Sequence, residues 1–431
     1  MSEKTDIELF PMKFNGKISA PPSKSLSHRA LICAALSNGQ SIISNLTYSD
    51  DVLATMSALQ ILGAKFDRQD DSLIVRGLRK IKSSNVKVDC NESGSTLRFL
   101  IPLFSLSNKK VVFTGKKSLI SRPQTIYKKI FDEDQNLFEV TEEEITINGS
   151  IKAREYYLRG DVSSQFISGL MFALPLLNSD SKIIIDGVLE SKSYIDLTIS
   201  MLDEFGIKIK EFTDGFYIEG NQTYHAHNYQ VEGDFSQAAF FLVGGSLNGA
   251  SNISNLDHDS KQGDKAIINI IKESKGKVIY TENGFITEST QTYGSEIDLS
   301  DCPDLGPIVS LLASVSTGTT IIKNIHRLRL KESDRVKTTV ETLSKLGADI
   351  TSNENEIIIV GKPALTGGVT VDSFNDHRIA MMVSIASSVC VDSIILTNAN
   401  AVTKSYPNFF DDFQRMGGVY KLIGEWFYEN N

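Results

Sequence analysis

A repeat of about 70 residues constrains this chain more than any other feature of its sequence. Each copy predicts a helix ending in a small residue, then a strand, a polar turn and a second strand, as in LSKLGADITSNENEIIIVG. The copies are weaker around FDEDQNLFEV, and FQRMGGVYKLIGEWFYEN opens a last one. Aligning them places six residues at the same position: Gly63, Gln135, Gly206, Gly276, Gly347 and Gly417. This spacing predicts six copies of one structural unit.

A second helix opens in every copy, after a strand and a turn, again about 70 residues from its equivalent. These openings lie near Lys24, Gly94, Ser163, Phe235, Asp304 and Asp376. Most of the helices are apolar on nearly all sides, which is typical of buried helices, and their polar residues fall in the first turn. The unit therefore reads βαβαββ, and the predicted fold class is mixed α/β (α+β).

The number of units predicts the domain organisation. A chain of 431 residues is long enough for two or three domains, and six units suggest two similar domains of three units each. No Gly/Ser-rich or Pro-rich linker marks the boundary. Helix N-termini carry unpaired N–H groups and a partial positive charge, so several of them facing one cleft would attract anions. We therefore expect an anion-binding active site in the cleft between the two domains.

Charge and composition argue against several classes of protein. The net charge of −9 argues against a nucleic-acid or membrane-surface partner. No apolar run approaches the roughly 20 residues of a membrane span, and the first residues lack a signal pattern, so we expect a cytoplasmic protein. The cysteines are far apart and form no CxxC pair, which argues against a disulfide framework or a zinc site. They are Cys33, Cys90, Cys302 and Cys390.

Basic residues nevertheless recur at the predicted helix starts and in neighbouring loops. They are Lys24, Arg29, Arg98, Arg122, Lys331, Arg335, Arg378 and Lys404. Each one alone is equally compatible with a solvated helix start or an ordinary surface position. Their recurrence from repeat to repeat indicates a site for a pair of highly anionic substrates.

Small and polar residues accompany the basic ones. Gly94 lets the backbone approach a ligand at a helix start, although turn geometry alone could require a glycine there. Ser163, Ser164 and Gln165 open another helix and suit a phosphate and several hydroxyl groups, or serve only as caps. Two residues of ESKSYID could line the same pocket, Ser191 and Tyr194.

Candidate acid and base groups lie in the C-terminal half. Asp304, before an apolar helix, is a candidate general base, or a carboxylate that only caps the helix. In LKESDR, Lys331 and Arg335 are one helical turn apart, and Glu332 beside them is a candidate proton carrier or a structural partner.

An ordered series of motifs resembles the 5-enolpyruvylshikimate-3-phosphate (EPSP) synthase family over nearly the whole chain. In order, the motifs are PSKSLSHRA, NESGSTLRF, SRP, DVSSQF, ESKSYID, CPDLGP, LKESDR, NDHRIAMM and TKSYP. The resemblance implies two domains of three βαβαββ units, one of them discontinuous. The expected domains are 1–22 with 232–431, and 23–231.

The resemblance also implies roles for individual residues. Shikimate 3-phosphate would be held by Lys24, Ser25, Arg29, Ser163, Ser164, Gln165, Ser191, Tyr194, Asp304 and Lys331. Phosphoenolpyruvate would be bound by Lys24, Gly94, Arg122, Gln165, Arg335, Arg378 and Lys404. The catalytic residues would be Asp304 as base, Glu332 as proton donor and Lys24. The reaction this implies moves an enolpyruvyl group without a metal or a cofactor, and we expect a monomer.

Some positions depart from the family pattern, and other functions compete. Arg327 and Glu92 stand where many relatives have Asn, Phe99 replaces a frequent Pro, and neither Arg327 nor Glu92 is assigned a role. Gly94 keeps the small residue that leaves room for the inhibitor glyphosate in sensitive relatives. One alternative is the related transferase that acts on UDP-N-acetylglucosamine, whose reactive loop cysteine has no counterpart in the SRP region here. The other is a non-catalytic anion-binding relative.

Overall fold

A computed structural model describes residues 5–78, 81, 85–161 and 163–423. The chain forms two compact units, Pro22–Glu232 and Met1–Pro21 with Gly233–Asn431. We refer to them as the inserted unit and the discontinuous unit. Within the described residues, no helix is both long enough and apolar enough to cross a membrane.

The inserted unit contains seven of the described helices and twelve strands. Its helices are α1 (Lys24–Leu36), α2 (Asp50–Leu62), α3 (Gly94–Ser105), α4 (Lys117–Ile120), α5 (Thr125–Glu133), α6 (Ser164–Ala173) and α7 (Lys192–Glu204). Its strands are β3 (Gln40–Ser44), β4 (Lys65–Gln69), β5 (Ser72–Arg76), β6 (Val86–Asp89), β7 (Val111–Thr114), β8 (Leu137–Val140), β9 (Glu144–Asn148), β10 (Glu155–Arg159), β11 (Ser181–Asp186), β12 (Ile209–Phe212), β13 (Gly215–Ile218) and β14 (Tyr229–Gln230).

The discontinuous unit contains six described helices and the remaining twelve described strands. Its helices are α8 (Phe235–Leu247), α9 (Ala266–Glu273), α10 (Gly306–Ser314), α11 (Arg335–Lys345), α12 (His377–Ala386) and α13 (Phe409–Arg415). Its strands are β1 (Asp6–Leu9), β2 (Phe14–Ser19), β15 (Gly249–Ser254), β16 (Lys277–Thr281), β17 (Gly284–Glu288), β18 (Glu296–Asp298), β19 (Thr319–Lys323), β20 (Asp349–Ser352), β21 (Glu356–Val360), β22 (Thr370–Asp372), β23 (Ile394–Thr397) and β24 (Tyr420–Ile423).

The described strands form six sheets of four strands with one common topology. In the sheet ordered β6-β7-β9-β8, the first two strands are parallel and the other two pairs are antiparallel. The sheets β10-β11-β13-β12 and β18-β19-β21-β20 repeat this pattern. Helices follow the first and second strands, so the predicted βαβαββ unit and the mixed α/β fold class are confirmed.

Three sheets take a strand from a distant part of the chain. The sheet of β3, β4 and β5 is completed by β14, which pairs in parallel with β3. In the discontinuous unit, β2 pairs in parallel with β15. The strand β1 lies between β23 and β24, at the position where the second strand of the last repeat was expected. The last predicted copy, which opens with FQRMGGVYKLIGEWFYEN, continues past Ile423 into residues that lie outside the described part of the chain.

The repeat alignment is reproduced by the backbone at five of its six positions. Gly63, Gly206, Gly347, Gly417 and Gln135 all have positive φ, as is usual where a helix ends in a left-handed residue. In the fourth repeat the left-handed residue is Lys275 (φ 64°), one position before the aligned Gly276. The alignment was therefore displaced by one residue in this copy.

Three buried helices form the core of each unit. They are α1, α3 and α6 in the inserted unit and α8, α10 and α12 in the discontinuous unit. Two of them approach closely where Gly169 of α6 faces the carbonyl of Arg98 on α3. A Cβ at Gly169 would lie 2.3 Å from that oxygen, so only glycine permits this packing. The contact brings the first turns of α3 and α6 together.

Candidate active site

The helix starts of the two units carry different caps. In the inserted unit, hydroxyl side chains of Ser23, Ser93 and Ser163 accept N–H bonds at the starts of α1, α3 and α6. In the discontinuous unit, carboxylates of Asp234 and Asp376 cap α8 and α12. Asp304 lies in the 3₁₀ turn Pro303–Leu305 that runs into α10. Several predicted site residues lie at these helix starts, whose capping side chains are neutral hydroxyls in the inserted unit and carboxylates in the discontinuous unit.

Lys24 is the first residue of α1 and forms an ion pair that the sequence did not reveal. Its Nζ lies 2.9 Å from Oδ2 of Asp51, in the first turn of α2. Both side chains are largely buried. Asp51 therefore fixes the ammonium group of Lys24 at the start of α1.

Arg29 lies one turn further along α1 and is almost fully buried. Its guanidinium donates to three neutral oxygens: Thr198 Oγ1 at 2.8 Å, Ser25 O at 2.8 Å and Tyr194 O at 2.9 Å. Burial lowers its pKa to about 10, against a smaller opposing effect of Tyr194. The bonds to Ser25 and Tyr194 link three predicted site residues directly.

Gly94, Arg122 and Gln165 lie together at the starts of α3 and α6. A Cβ at Gly94 would lie 3.0 Å from Arg122 Nη1 and 3.4 Å from Gln165 Oε1. The Gln165 side chain accepts from Arg98 Nη1 at 3.0 Å and donates to Ser95 Oγ at 3.1 Å. The close packing of α3 and α6 explains why these residues meet although about 70 residues separate Gly94 from Gln165.

The remaining predicted residues of the inserted unit lie at two helix starts. Ser163 caps α6, and Ser164 is its first residue. Ser191 precedes α7, is fully buried and has a positive φ of 51°. Tyr194 lies in the first turn of α7 and contributes its carbonyl to Arg29.

Asp304 is the centre of a cluster of charged side chains in the discontinuous unit. Its Oδ1 lies 3.0 Å from Lys331 Nζ and 3.0 Å from Arg335 Nη1. Its Oδ2 lies 3.1 Å from Arg378 Nη2. Burial alone would raise the pKa of Asp304, but the charges of Arg378, Lys331 and Arg335 outweigh it and hold the pKa well below its usual range.

Arg335 connects Asp304 to two further carboxylates. Its Nε lies 2.8 Å from Asp376 Oδ2, its Nη2 lies 3.1 Å from Asp376 Oδ1, and Nη2 also donates to Glu332. Although burial opposes it, these carboxylates raise the pKa of Arg335, so the guanidinium stays charged. Burial lowers the pKa of Lys331, with Asp304 opposing that effect. The cations Lys331, Arg335 and Arg378 thus lie beside the carboxylates of Asp304, Glu332 and Asp376.

Lys404 and Arg378 complete this cluster. Arg378 donates from Nη2 to Ser236 Oγ at 3.0 Å, and Ser236 in turn donates to Asp234 at 2.6 Å. Lys404 is buried at the end of a 3₁₀ segment, and its Nζ donates to the carbonyl of Asn375. Asn375 directly precedes the cap of α12, so Lys404 lies near the start of that helix.

The site residues that the sequence did not reveal are partners of predicted ones. Asp51, Thr198 and Asp376 each orient a predicted cation, namely Lys24, Arg29 and Arg335. For Thr198, a signal was present in hindsight, because it lies one helical turn after Tyr194 and therefore on the same helix face.

Two positions that depart from the family pattern lie close to these clusters. Arg327 is buried, and its charge helps to lower the pKa of Lys331. The carboxylate of Glu92 is buried just before α3 and lies 3.1 Å from Lys116 Nζ. Arg327 therefore belongs to the cluster around Asp304, and Glu92 is held by an ion pair just before α3.

One group of side chains has the composition of a metal site. Single ligand atoms of Glu332, Asp376 and His377 lie within 4.8 Å of one another. Arg335 already binds both of these carboxylates. We therefore treat the group as part of the ion-pair cluster and assign no metal to it.

The repeat fold and the side chains at its helix starts define the class: an α/β repeat protein whose helix starts carry clusters of basic residues. Residues 10–413 match the sequence profile of EPSP synthase (3-phosphoshikimate 1-carboxyvinyltransferase). This chain belongs to the EPSP synthase family, as the sequence motifs predicted.

Known proteins similar to this chain support the assignment. A 3-phosphoshikimate 1-carboxyvinyltransferase of Clostridium novyi (strain NT) is 46% identical, over 98% of this chain and 99% of the relative. The enzyme of that name from Clostridium kluyveri is also 46% identical, over 97% of this chain and 98% of its own length. The solved EPSP synthase of Acinetobacter baumannii matches with a TM-score of 0.81, covering 97% of this chain and all of that one. At 24% identity, the solved structure supports the fold alone.

Proposed function

We propose that this chain transfers the enolpyruvyl group of phosphoenolpyruvate to the 5-hydroxyl of shikimate 3-phosphate and releases phosphate. Membership of the EPSP synthase family supports this reaction. The observation that carries it is the cluster at Asp304, where a carboxylate, a partly buried lysine and a second carboxylate meet two arginines. An addition–elimination on an anionic enol phosphate requires such a set of acid, base and cations.

The inserted unit would bind shikimate 3-phosphate. Arg29 brings a buried positive charge that neutral oxygens surround, so an anionic ligand would supply the missing negative charge. Hydroxyl and amide groups at the starts of α6 and α7 match a phosphate and ring hydroxyls. The residues proposed for this role are Lys24, Ser25, Arg29, Ser163, Ser164, Gln165, Ser191 and Tyr194. Asp304 and Lys331 would contact the 5-hydroxyl region.

Several cations would bind phosphoenolpyruvate. A guanidinium group can form two parallel bonds to a carboxylate or phosphate, and Arg335 and Arg378 would offer such bonds in exchange for some of their present contacts. The full set is Lys24, Gly94, Arg122, Gln165, Arg335, Arg378 and Lys404. Arg335 and Arg378 also hold Asp304, so the groups proposed to bind this substrate also set the charge state of the proposed base.

The proton transfers would divide between two carboxyl groups. Glu332 would give a proton to the methylene carbon of phosphoenolpyruvate, which makes the carbon bearing the phosphate electrophilic. Asp304 would take the proton of the 5-hydroxyl as its oxygen bonds to that carbon. The resulting tetrahedral intermediate would lose phosphate and return a methyl proton to the Glu332 carboxylate, which forms the enol ether of the product. Holding both substrates together should account for much of the rate.

Two other functions are separated from this proposal by specific residues. The related transferase acting on UDP-N-acetylglucosamine would need a different acceptor site, whereas SKSLSHR and DVSSQF suit shikimate 3-phosphate. A non-catalytic binder would need cations but no acid or base. The presence of Asp304, Glu332 and Lys331 in one cluster favours an enzyme over a binder.

Phosphate release from phosphoenolpyruvate tests the function. The purified protein is given shikimate 3-phosphate or UDP-N-acetylglucosamine, in buffer with and without a chelator. We expect phosphate release when shikimate 3-phosphate is the acceptor and none when UDP-N-acetylglucosamine is the acceptor. The chelator should leave the rate of release unchanged. Release only with the nucleotide sugar would assign the chain to the related reaction, and no release with either acceptor would favour the binder.

The cellular setting belongs to the same proposal. We expect a cytoplasmic monomer that uses neither metal nor cofactor. The four cysteines are buried and unpaired, which suits a reducing compartment. Light scattering coupled to size-exclusion chromatography tests the monomer, for which the mass expected from the sequence is 47.5 kDa.

A further inference from the structure

Arg29 differs from Arg335 in how its charge is compensated. Arg335 contacts three carboxylates. Arg29 is equally buried, but its hydrogen bonds within the described residues go to two carbonyls and one hydroxyl. A buried guanidinium without a carboxylate is costly unless its N–H groups are well satisfied. The neutral acceptors around Arg29 therefore hold it in place without neutralising it.

The hydroxyl of Thr198 is the central acceptor. Its Oγ1 accepts from Arg29 Nε at 2.8 Å and lies 3.0 Å from Tyr194 O, to which it donates. A threonine hydroxyl has one proton and two lone pairs. The contact with Ser168 Oγ at 2.8 Å must then be one in which Ser168 donates. All bonding capacity of the Thr198 hydroxyl is used, and its orientation is set from three sides.

The same contacts determine which N–H groups of Arg29 face a ligand. The bonds within the described residues occupy one N–H on each of its three nitrogens. Since a guanidinium has five N–H groups, one remains on each terminal nitrogen. Two N–H groups are the number that the two oxygens of one carboxylate can accept. The ring of Phe99, 5.1 Å from the guanidinium carbon, supports the group from a further side.

We propose that Thr198 and Ser168 are positioning residues for shikimate 3-phosphate, acting through Arg29; this rests on the proposed function. Thr198 aligns the guanidinium by accepting from Nε, and Ser168 fixes the Thr198 hydroxyl by donating to it. Both side chains are fully buried, so neither needs to touch the substrate. Their loss should weaken binding of this one substrate and leave the chemical step intact.

Replacing Thr198 with valine, which has nearly the same shape, removes the hydroxyl. For Thr198→Val we expect the KM for shikimate 3-phosphate to rise about 10- to 100-fold, the range for losing a hydrogen bond to a charged group. The kcat and the KM for phosphoenolpyruvate should stay within about 3-fold. Thr198→Ser, which keeps the hydroxyl, should restore most of the affinity. Ser168→Ala should shift the same KM in the same direction by a smaller factor.

A matched control separates positioning from stability. Thr287 is also fully buried and donates to a backbone carbonyl, Leu242 O at 2.7 Å, but belongs to β17 of the other unit. Thr287→Val should lower the Tm and leave both KM values unchanged. If Thr198→Val does not fold, the comparison of Ser168→Ala with Thr287→Val still decides the question.

A spectroscopic measurement tests the positioning without turnover. The signal of the Arg29 Nε–H is assigned by its loss in Arg29→Lys. In the wild type, hydrogen exchange at this N–H should be slow. It should become at least about 10-fold faster in Thr198→Val, because the acceptor is lost. An equal exchange rate in both proteins, or a fall in kcat with the KM unchanged, would overturn the proposal. Absence of turnover in the wild type would reject the proposed function, while the exchange data would still test the geometry.

Discussion

Arg335 and Asp376 form a buried ion pair with two hydrogen bonds, Nε to Oδ2 at 2.8 Å and Nη2 to Oδ1 at 3.1 Å. Their side chains are 1% and 0% exposed. The same carboxylate caps α12 and accepts from Ser333 at 2.9 Å. The arginine meanwhile holds Asp304 and Glu332, so one buried carboxylate orients a group that the proposed acid and base both contact.

This pair should be important for folding. Removing one partner of a buried pair leaves the other charge uncompensated, so Asp376→Ala should lower the free energy of unfolding by about 3–5 kcal/mol. Urea denaturation measures the loss. Asp132→Ala serves as control, because Asp132 forms an exposed pair with Lys128 at 3.0 Å and should change stability by less than about 0.5 kcal/mol. Similar small losses in both variants would show that Asp376 is dispensable.

Asp304 should matter for turnover far more than for binding. Asp304→Asn keeps an acceptor oxygen but removes the base, and we expect kcat to fall about 10²- to 10⁴-fold. The Kd for shikimate 3-phosphate, measured by calorimetry, should change only a few-fold. The exposed Asp301 provides a control three residues earlier, and Asp301→Asn should leave kcat unchanged. Equal loss of turnover and binding in Asp304→Asn would make the residue structural.

Lys331 predicts an alkaline limit to activity. Because its pKa is lowered from 10.5, it loses its proton below that pH, and the charge facing Asp304 and the substrates disappears. The ratio kcat/KM should therefore fall on the alkaline side at a pH below 10.5. In Lys331→Arg this limb should move to higher pH, since arginine stays charged. If the wild type and Lys331→Arg show the same dependence of kcat/KM on pH, Lys331 does not cause the alkaline limit.

The same shift gives a prediction for stability with a definite sign. Between the lowered pKa of folded Lys331 and 10.5, the unfolded chain binds more protons than the folded one. The contribution of this residue to the free energy of unfolding therefore increases with pH across that window. The difference between wild type and Lys331→Met, measured by urea denaturation at several pH values, should show this slope. The charged neighbours that act on the pKa of Lys331 are Asp304, Arg335 and Arg327.

The absence of a side chain at Gly94 should matter for the binding of phosphoenolpyruvate, the smaller of the two proposed substrates. In Gly94→Ala the new methyl group would lie 3.0 Å from Arg122 Nη1, so the arginine must move. We expect the KM for phosphoenolpyruvate to rise about 10-fold, with the KM for shikimate 3-phosphate changed much less. Gly187→Ala is the control, because its Cβ has no neighbour within 4 Å and only backbone strain results.

Inhibition by glyphosate tests the same space. The wild type should be inhibited, and Gly94→Ala should be less sensitive than the wild type. A wild-type inhibition curve that stays flat into the millimolar range would contradict the expected sensitivity.

The sequence predicted the repeated unit and the fold class because helix ends and glycines recur at a constant spacing. The repeat spacing alone could not predict which sheets β1, β2 and β14 complete, because their pairing depends on tertiary contacts, although the family resemblance implied that residues 1–22 belong with 232–431. In the fourth repeat, the sequence alignment used Gly276, but the left-handed residue at the helix end is Lys275. A left-handed residue need not be glycine, so glycine positions alone did not predict it.

Part of the candidate site was predictable for the same reason. Lys24, Asp304 and Arg335 stood out because they lie at equivalent or neighbouring helix starts. Their partners did not, since contacts such as Lys24 with Asp51 depend on how two helices pack against each other. The contact of Arg29 with Thr198 spans 169 residues, and its one local signal is that Thr198 lies one helical turn after Tyr194.

The position of β1 between β23 and β24 has a consequence for synthesis on the ribosome. The chain places 384 residues between Leu9 and Ile394, so at about 5–20 residues per second β1 waits roughly 20–80 s for its neighbours. All strands of the inserted unit are translated within that interval. The last sheet of the discontinuous unit can therefore close only after the whole inserted unit has been synthesised.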